Sequence, residues 1–257
     1  MRATVRFAVL VSLLASAGAA RECSATALGV KASGTKTFYL NDRVGANQVT
    51  FFSESTVEDF TGVCNKIAGT CTIDPKNIES LRGSFSLRVT DMSTGIPLRD
   101  THLRSADWLD AQRFPTITIE VANVKDVQVT RPDTAKLVLV VKCTLHGITH
   151  ELAIPATLTY LDESPTTQKR AAGDLLRIRA EFPVKLSEFE VKGPAGSDVI
   201  GLKVADEIQV KVSAYASTTP PPPESAVDRP GQGEPGAAPP PPDKPATQPA
   251  PAPPQRP

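Results

Sequence analysis

Three histidines, four cysteines and one tryptophan are all that this 257-residue sequence holds of several residue types that often carry chemistry. The missing patterns say more than the counts. There is no Gly-x-Ser-x-Gly elbow, no phosphate-cradling glycine loop and no His-Glu-x-x-His pair, which argues against the common hydrolase, nucleotide-binding and metalloprotease chemistries. No Cys-x-x-Cys occurs, so neither a thioredoxin-like site nor a zinc ribbon is indicated. Lys+Arg and Asp+Glu balance at 28 each, so no net basic field draws the chain toward nucleic acid. A long 3.6-period run is absent too, which removes the helical folds.

What is present starts with a leader. Arg2 and Arg6 flank an apolar run from Phe7 to Ala15 that ends in Ser-Ala-Gly-Ala-Ala. A basic start, a short apolar segment and small residues at the exit are the features of a cleavable secretory signal over residues 1–20. The run is shorter than the about 20 apolar residues a spanning helix needs, so no transmembrane segment is expected in the mature chain. The expected compartment is periplasmic or extracellular. Residues 21–36 are small, polar and aperiodic, and read as a flexible lead-in.

From Thr37 the period becomes two. Phe85, Leu87 and Val89 alternate with polar neighbours, as do Ile117, Ile119 and Val121. Leu137, Leu139, Val141, Cys143 and Leu145 share one face; Leu152 to Tyr160, Leu176 to Leu186 and Ile208 to Ala214 repeat the pattern. Pro155 within its strand points to an edge, a bulge or a strand start, since proline cannot donate to a ladder. About eight long strands with turns between them fit a sandwich or a closed barrel. Closure removes the exposed edges, so an all-β, eight-stranded antiparallel barrel over residues 37–216 is preferred, with a short helical segment near residues 104–111. At residue 217 the character changes. Of 24 prolines, 16 lie at or beyond Pro220, and no Leu, Ile, Val, Phe, Tyr or Trp follows Val227. Such a segment cannot bury enough surface to offset its ordering entropy, so residues 217–257 read as a disordered proline-rich tail, a spacer or a contact for a partner protein in the envelope.

Parity places Phe85, Leu87, Ile119, Val121, Leu139, Val141, Ile178, Ala180 and Phe182 on shared strand faces, which makes them candidates to line an interior cavity. The charged knot Arg99, Asp100, His102 and Arg104 has two readings. An arginine fork could clamp Asp100 and nearby loop carbonyls as a latch, the preferred reading. Alternatively, a guanidinium or His102 could meet an anionic head group at a cavity mouth. Trp108 and Leu109 are expected to pack a short turn against the barrel end. His146 and His150 are four apart, the spacing of one strand side, but Gly147 breaks the strand between them, so structural roles are preferred to metal binding. Cys64 and Cys71 flank a plausible turn, so an exported chain would favour a disulfide between them. Cys143 alternates with aliphatics and reads as a small buried hydrophobe.

Five segments carry a resemblance. RDTHLRSADWLD followed by FPTITIE is similar to the central signature of the YceI-like family. FFSESTVEDFTG with IAGTCTIDP, KCTLHGITHEL, RAEFPVKLSEFEV and VADEIQVKVSAYA resemble its other motifs in the same order, over about Thr37 to Ala216. The resemblance implies a lipocalin-like antiparallel barrel, commonly periplasmic, that in some members holds a polyisoprenoid. It implies no common enzymatic activity and no cofactor. Two departures stand out: Asn47-Gln-Val-Thr lies where an early family histidine is often found, and cysteines replace aliphatics at Cys71 and Cys143. The expectation is thus a non-enzymatic, exported barrel binding an isoprenoid or other lipid chain. A filled barrel acting as an envelope interaction protein through its tail is the alternative.

Overall fold

The computed structural model describes residues 25–194 and 199–222, so the leader and nearly all of the proline-rich tail lie outside the described residues. Ten strands are present: β1 (Lys36–Leu40), β2 (Gln48–Ser53), β3 (Phe60–Cys64), β4 (Ile67–Asp74), β5 (Asn77–Arg88), β6 (Thr116–Arg131), β7 (Thr134–Leu145), β8 (Ile148–Leu161), β9 (Leu175–Lys185) and β10 (Glu207–Ser217). Every named pairing is antiparallel, in the order β1-β4-β5-β6-β7-β8-β9-β10-β2-β3.

Ten segments make eight barrel strands. β1 and β2 are two parts of one strand, interrupted by the excursion 41–47, and β3 and β4 are two parts of the next, interrupted at Asn65-Lys66. The registers show it: Ser53 faces Phe60 at the turn end of this compound hairpin, Val49 faces Cys64 midway, and Lys36 faces Ile73 at the far end. β10 pairs with β2 through Gln209–Ser213 and with β1 through Ala216 and Ser217, which closes the ring. The barrel is therefore an up-and-down meander in which each strand pairs with its neighbours in sequence. Asn41 and Asn47 hold the excursion: Asn41 Nδ2 donates to Ser217 Oγ at 2.8 Å, and the Tyr215 amide donates to Asn47 Oδ1 at 2.7 Å.

Toward the base β5 pairs with β6 only through Gly83–Arg88, and toward the mouth another seam stays open. β8 pairs with β9 only from Ala156 to Leu161, although β9 continues to Lys185 beside β10. Pro155 and Pro183 fall on the stretches that do not pair with each other. Proline, which has no N–H to give a ladder, is tolerated at such an edge. At the adjacent hairpin, His146 and Gly147 both take positive φ, 52° and 77°, the geometry of a type I′ turn joining twisted strands.

The end formed by the β4–β5, β6–β7 and β8–β9 turns is the base, and it is packed solid. Phe38 and Tyr160 are fully buried there and meet edge to face with centroids 5.5 Å apart. Ile73, Ile78, Leu81, Leu158 and Leu176 fill the space around them, each such burial contributing about 1.5–3 kcal/mol. The expected flexible lead-in proves to be part of this plug from residue 25 onward. Leu28 and Val30 are buried, the Leu28 amide donates to the Pro75 carbonyl at 2.8 Å, and the Gly29 amide to the Pro132 carbonyl at 2.7 Å. Two apolar residues are too few to show a period, so the segment is invisible to pattern reading. The helix also differs from expectation: α1 spans Pro97–Arg104, and residues 106–109 form turns. Pro97 explains the start, since at the first helical position its missing N–H is not needed.

Candidate functional site

Strand alternation leaves the upper half of the barrel hollow. A cavity of about 320 Å³ opens at the end opposite the base, lined by residues from the strands, α1 and the 199–204 segment. A deeper chamber of about 90 Å³ adjoins it. Val49, Leu87, Ile117, Ile119, Phe182 and Val212 line both. All nine inward candidates are on these walls: Leu87, Ile119 and Phe182 border both spaces, and Phe85, Val121, Leu139, Val141, Ile178 and Ala180 border the chamber. The chamber's one polar side chain is Ser86. Nothing in its wall could hold a buried charge, whose burial without a partner is strongly unfavourable.

The mouth is different. Glu58, Thr94, Arg99, His102 and Lys203 contribute polar groups to its rim, with Trp108 half-buried among them. Arg99 projects from α1, pairs with Glu58 of the β2–β3 turn and lies over the Phe60 ring, 4.8 Å from its centroid. The same turn reaches the 199–204 segment, where the Val57 amide donates to the Leu202 carbonyl at 3.0 Å. The 54–59 turn thus ties α1 to the 199–204 segment across the opening. Glu58 and Lys203 escaped sequence reasoning because each sits in a loop far from α1 in the chain. Only tertiary structure brings them together.

Asp100, one residue further along α1, faces the protein and is buried. Its Oδ1 accepts from the Thr94 amide at 2.6 Å and the Thr94 hydroxyl at 2.7 Å, and its Oδ2 accepts from the Ser93 hydroxyl at 2.7 Å. Burial pushes its carboxyl up, but the bonds from Thr94 and Ser93, with the Arg104 charge nearby, outweigh that and hold it below the ordinary value. Arg104 Nη2 donates to the Met92 carbonyl at 2.9 Å. The bonding within the knot differs from expectation. Hydroxyls and an amide hold Asp100 where an arginine was expected, Arg104 holds a loop carbonyl, and Arg99 and His102 are left on the cavity rim.

The other two histidines reach backbone carbonyls. His146 Nδ1 lies 3.1 Å from the Phe189 carbonyl oxygen and His150 Nε2 lies 2.8 Å from that of Glu188. The rings also meet Phe114 and Phe189 edge to face. The pair therefore fastens the turn Leu186–Phe189 across the open β8–β9 seam. Among the described residues no group of three or more His, Cys, Asp or Glu side chains is placed to hold a metal ion. Cys64 and Cys71 are buried free thiols, so the expected disulfide is absent. The supposed turn between them is the start of β4, which carries Cys71 about 13 Å along an extended strand from Ile67 at ~3.3 Å per residue. Cys64 meanwhile turns its thiol to the Lys66 carbonyl at 3.5 Å. Burial pushes the thiol of Cys71 up to about 12 and that of Cys143, on the cavity wall, up to about 11.

Fold and site together define an eight-stranded antiparallel barrel enclosing an apolar, ligand-sized cavity that opens at one end. Residues 42–216 match the YceI-like domain, and the chain belongs to that family. The protein YceI of Escherichia coli O157:H7 is 30% identical over 153 residues, covering 58% of this chain and 74% of the relative. Among solved structures, Burkholderia cenocepacia BcnA superposes with a TM-score of 0.55 at 18% identity, over 69% of this chain and 99% of BcnA, which shows a shared fold. A polyisoprenoid binding domain from Saccharophagus degradans matches with a TM-score of 0.49 at 11% identity, over 72% of this chain and 99% of that domain.

Proposed function

We propose that this protein is an exported, non-enzymatic barrel that binds an apolar chain, isoprenoid or fatty acyl, in its interior. The carrying observation is the cavity itself. At about 320 Å³, with a further chamber beneath, it falls within the ~300–1,000 Å³ of ordinary ligand pockets, which combine apolar walls with a few polar groups. The gradient from an apolar floor to a polar rim suits a molecule with a long greasy body and one polar end. Burial of such a chain is favourable by about 0.8 kcal/mol per methylene. Membership of the YceI-like family agrees with this reading, and the basic-apolar-small pattern of the first 20 residues supports export. The nine wall residues are the proposed ligand contacts. A filled barrel serving only as an envelope contact protein fits less well, because the interior is hollow.

Native mass spectrometry of the full chain purified from its own host tests the proposal. The expected result is a bound mass in the lipid range that organic solvent removes. A ligand-free mass, together with no uptake of a fluorescent isoprenoid alcohol by the purified protein, would sink it.

A further inference from the structure

Six large apolar side chains are strongly exposed among the described residues, and four of them stand at the cavity mouth. Ile96 and Leu98, with Pro97 between them, form the exposed tip that opens α1; Leu98 is 67% exposed. Val57, 62% exposed, crowns the β2–β3 turn, and Leu202 crowns the 199–204 segment bonded to it. The ion pair between Arg99 and Glu58 ties the α1 tip to the same turn. These tips are thus one connected set standing around one opening. The base, where β10 ends at Ser217 and Thr218 beside Asp174, lies at the other end of the barrel.

We infer that this ring of aliphatic tips seats the barrel mouth-down on a lipid bilayer, so that an apolar chain passes between membrane and cavity without crossing water. The inference rests on the apolar-chain reading of the cavity. Protein-docking sites are centred on an anchor, usually aromatic or Arg, in a desolvated pocket; here the centre of the ring is the cavity opening. Separate aliphatic tips with charges between them suit a bilayer interface, where the tips reach the acyl boundary and the charges stay among head groups. The charges at hand match that requirement. Glu58 neutralises Arg99, and Lys203 follows Leu202 on the rim with a long stem able to carry its ammonium up to head-group phosphates. A chain leaving a bilayer for a cavity through bulk water exposes its whole apolar length. Contact at the mouth removes that step.

The test uses full-length protein and vesicles of phosphatidylethanolamine and phosphatidylglycerol. Flotation with probe-free vesicles reads docking alone. Wild-type protein is expected to float with the vesicles, and Leu98→Asp or Val57→Asp is expected to cut the bound fraction about ten-fold, the loss of one buried aliphatic contact. Because both side chains are exposed, neither change should alter the circular dichroism spectrum. With vesicles carrying a fluorescent isoprenoid alcohol, the transfer rate should rise in proportion to vesicle concentration and fall in both variants. Uptake of the same probe from dilute ethanol should stay within about two-fold of wild type. No flotation of wild-type protein, or flotation unchanged in both variants, overturns the inference whatever the uptake results. Association only with vesicles that contain membrane protein overturns it as well and assigns the ring to a protein partner. Failure of ethanol-delivered uptake with flotation intact overturns the ligand reading and with it the passage of a chain, and leaves only the docking on the bilayer.

Discussion

Removing the carboxylate of Asp100 should unlatch the rim of the barrel, and the structure sets the size of the effect. Asp100 accepts three hydrogen bonds at 2.6–2.7 Å from Ser93 and Thr94. A hydrogen bond to a charged group contributes about 1.5–3 kcal/mol, and a buried donor left without a partner costs about 1–3 kcal/mol. The two hydroxyls belong to half-buried residues and can turn toward water; the Thr94 amide is fixed by the backbone. Asp100→Ala should therefore cost about 3 kcal/mol rather than the full sum. In a domain of this length that lowers Tm by roughly 6–12 °C. Asp100→Asn keeps one acceptor oxygen for Thr94 and should cost about 1 kcal/mol. The pH dependence has a definite sign. Because the folded carboxyl lies below its ordinary value, its contribution is fully present above the unfolded pKa, near 3.9. It fades as pH falls through the folded value. Urea titrations followed by far-ultraviolet circular dichroism at pH 7 and pH 3 measure all of this. A cost for Asp100→Ala below about 0.5 kcal/mol at pH 7, or an equal cost for both variants, would refute the latch.

Two further outcomes concern the interior. Ala180→Phe should fill the deep chamber of about 90 Å³, lowering uptake of the fluorescent isoprenoid at least about ten-fold while leaving the circular dichroism spectrum unchanged; undiminished uptake would mean that the chain does not reach Ala180. Cys71 and Cys143, pushed up to about 12 and about 11 by burial, should react slowly with a charged disulfide reagent in native protein at pH 8 and rapidly in urea. Because Cys143 lies on the cavity wall, a small apolar maleimide should reach it when the barrel is empty and be blocked by prior loading with isoprenoid. Equal labelling of Cys143, located by peptide mass mapping, would place the ligand elsewhere.

The interior was legible in the sequence because strand parity is a hard constraint: alternate side chains must share a face, so a run such as Leu137-Val138-Leu139-Val140-Val141 separates its positions before any packing is known. Which face turns inward is settled only by closure, and closure placed Leu139 and Val141 on the chamber wall. The rim was much less legible. Glu58, Arg99 and Lys203 share that rim although they come from α1 and two loops widely separated in the chain, and a loop's position carries no periodic signal. The charged cluster was visible, yet its wiring was not, since Asp100 takes hydroxyls and an amide from Ser93 and Thr94 rather than its arginine neighbours. The Cys64–Cys71 expectation failed for a related reason. Closeness in sequence means closeness in space only across a turn, and β4 had already begun at Ile67.

The incomplete ladder between β8 and β9 bears on how wide a guest the barrel can admit. At the base, the close-packed plug around Phe38 and Tyr160 fixes the circumference, and any widening there would open that packing. Toward the opening the wall is a cuff whose edges are fastened by two imidazoles, His146 and His150, holding the carbonyls of Phe189 and Glu188. Its girth there is set by two side-chain bonds, each costing about 1 kcal/mol to release. A methyl-branched chain thicker than a simple acyl tail could spread that cuff while the floor beneath stayed rigid.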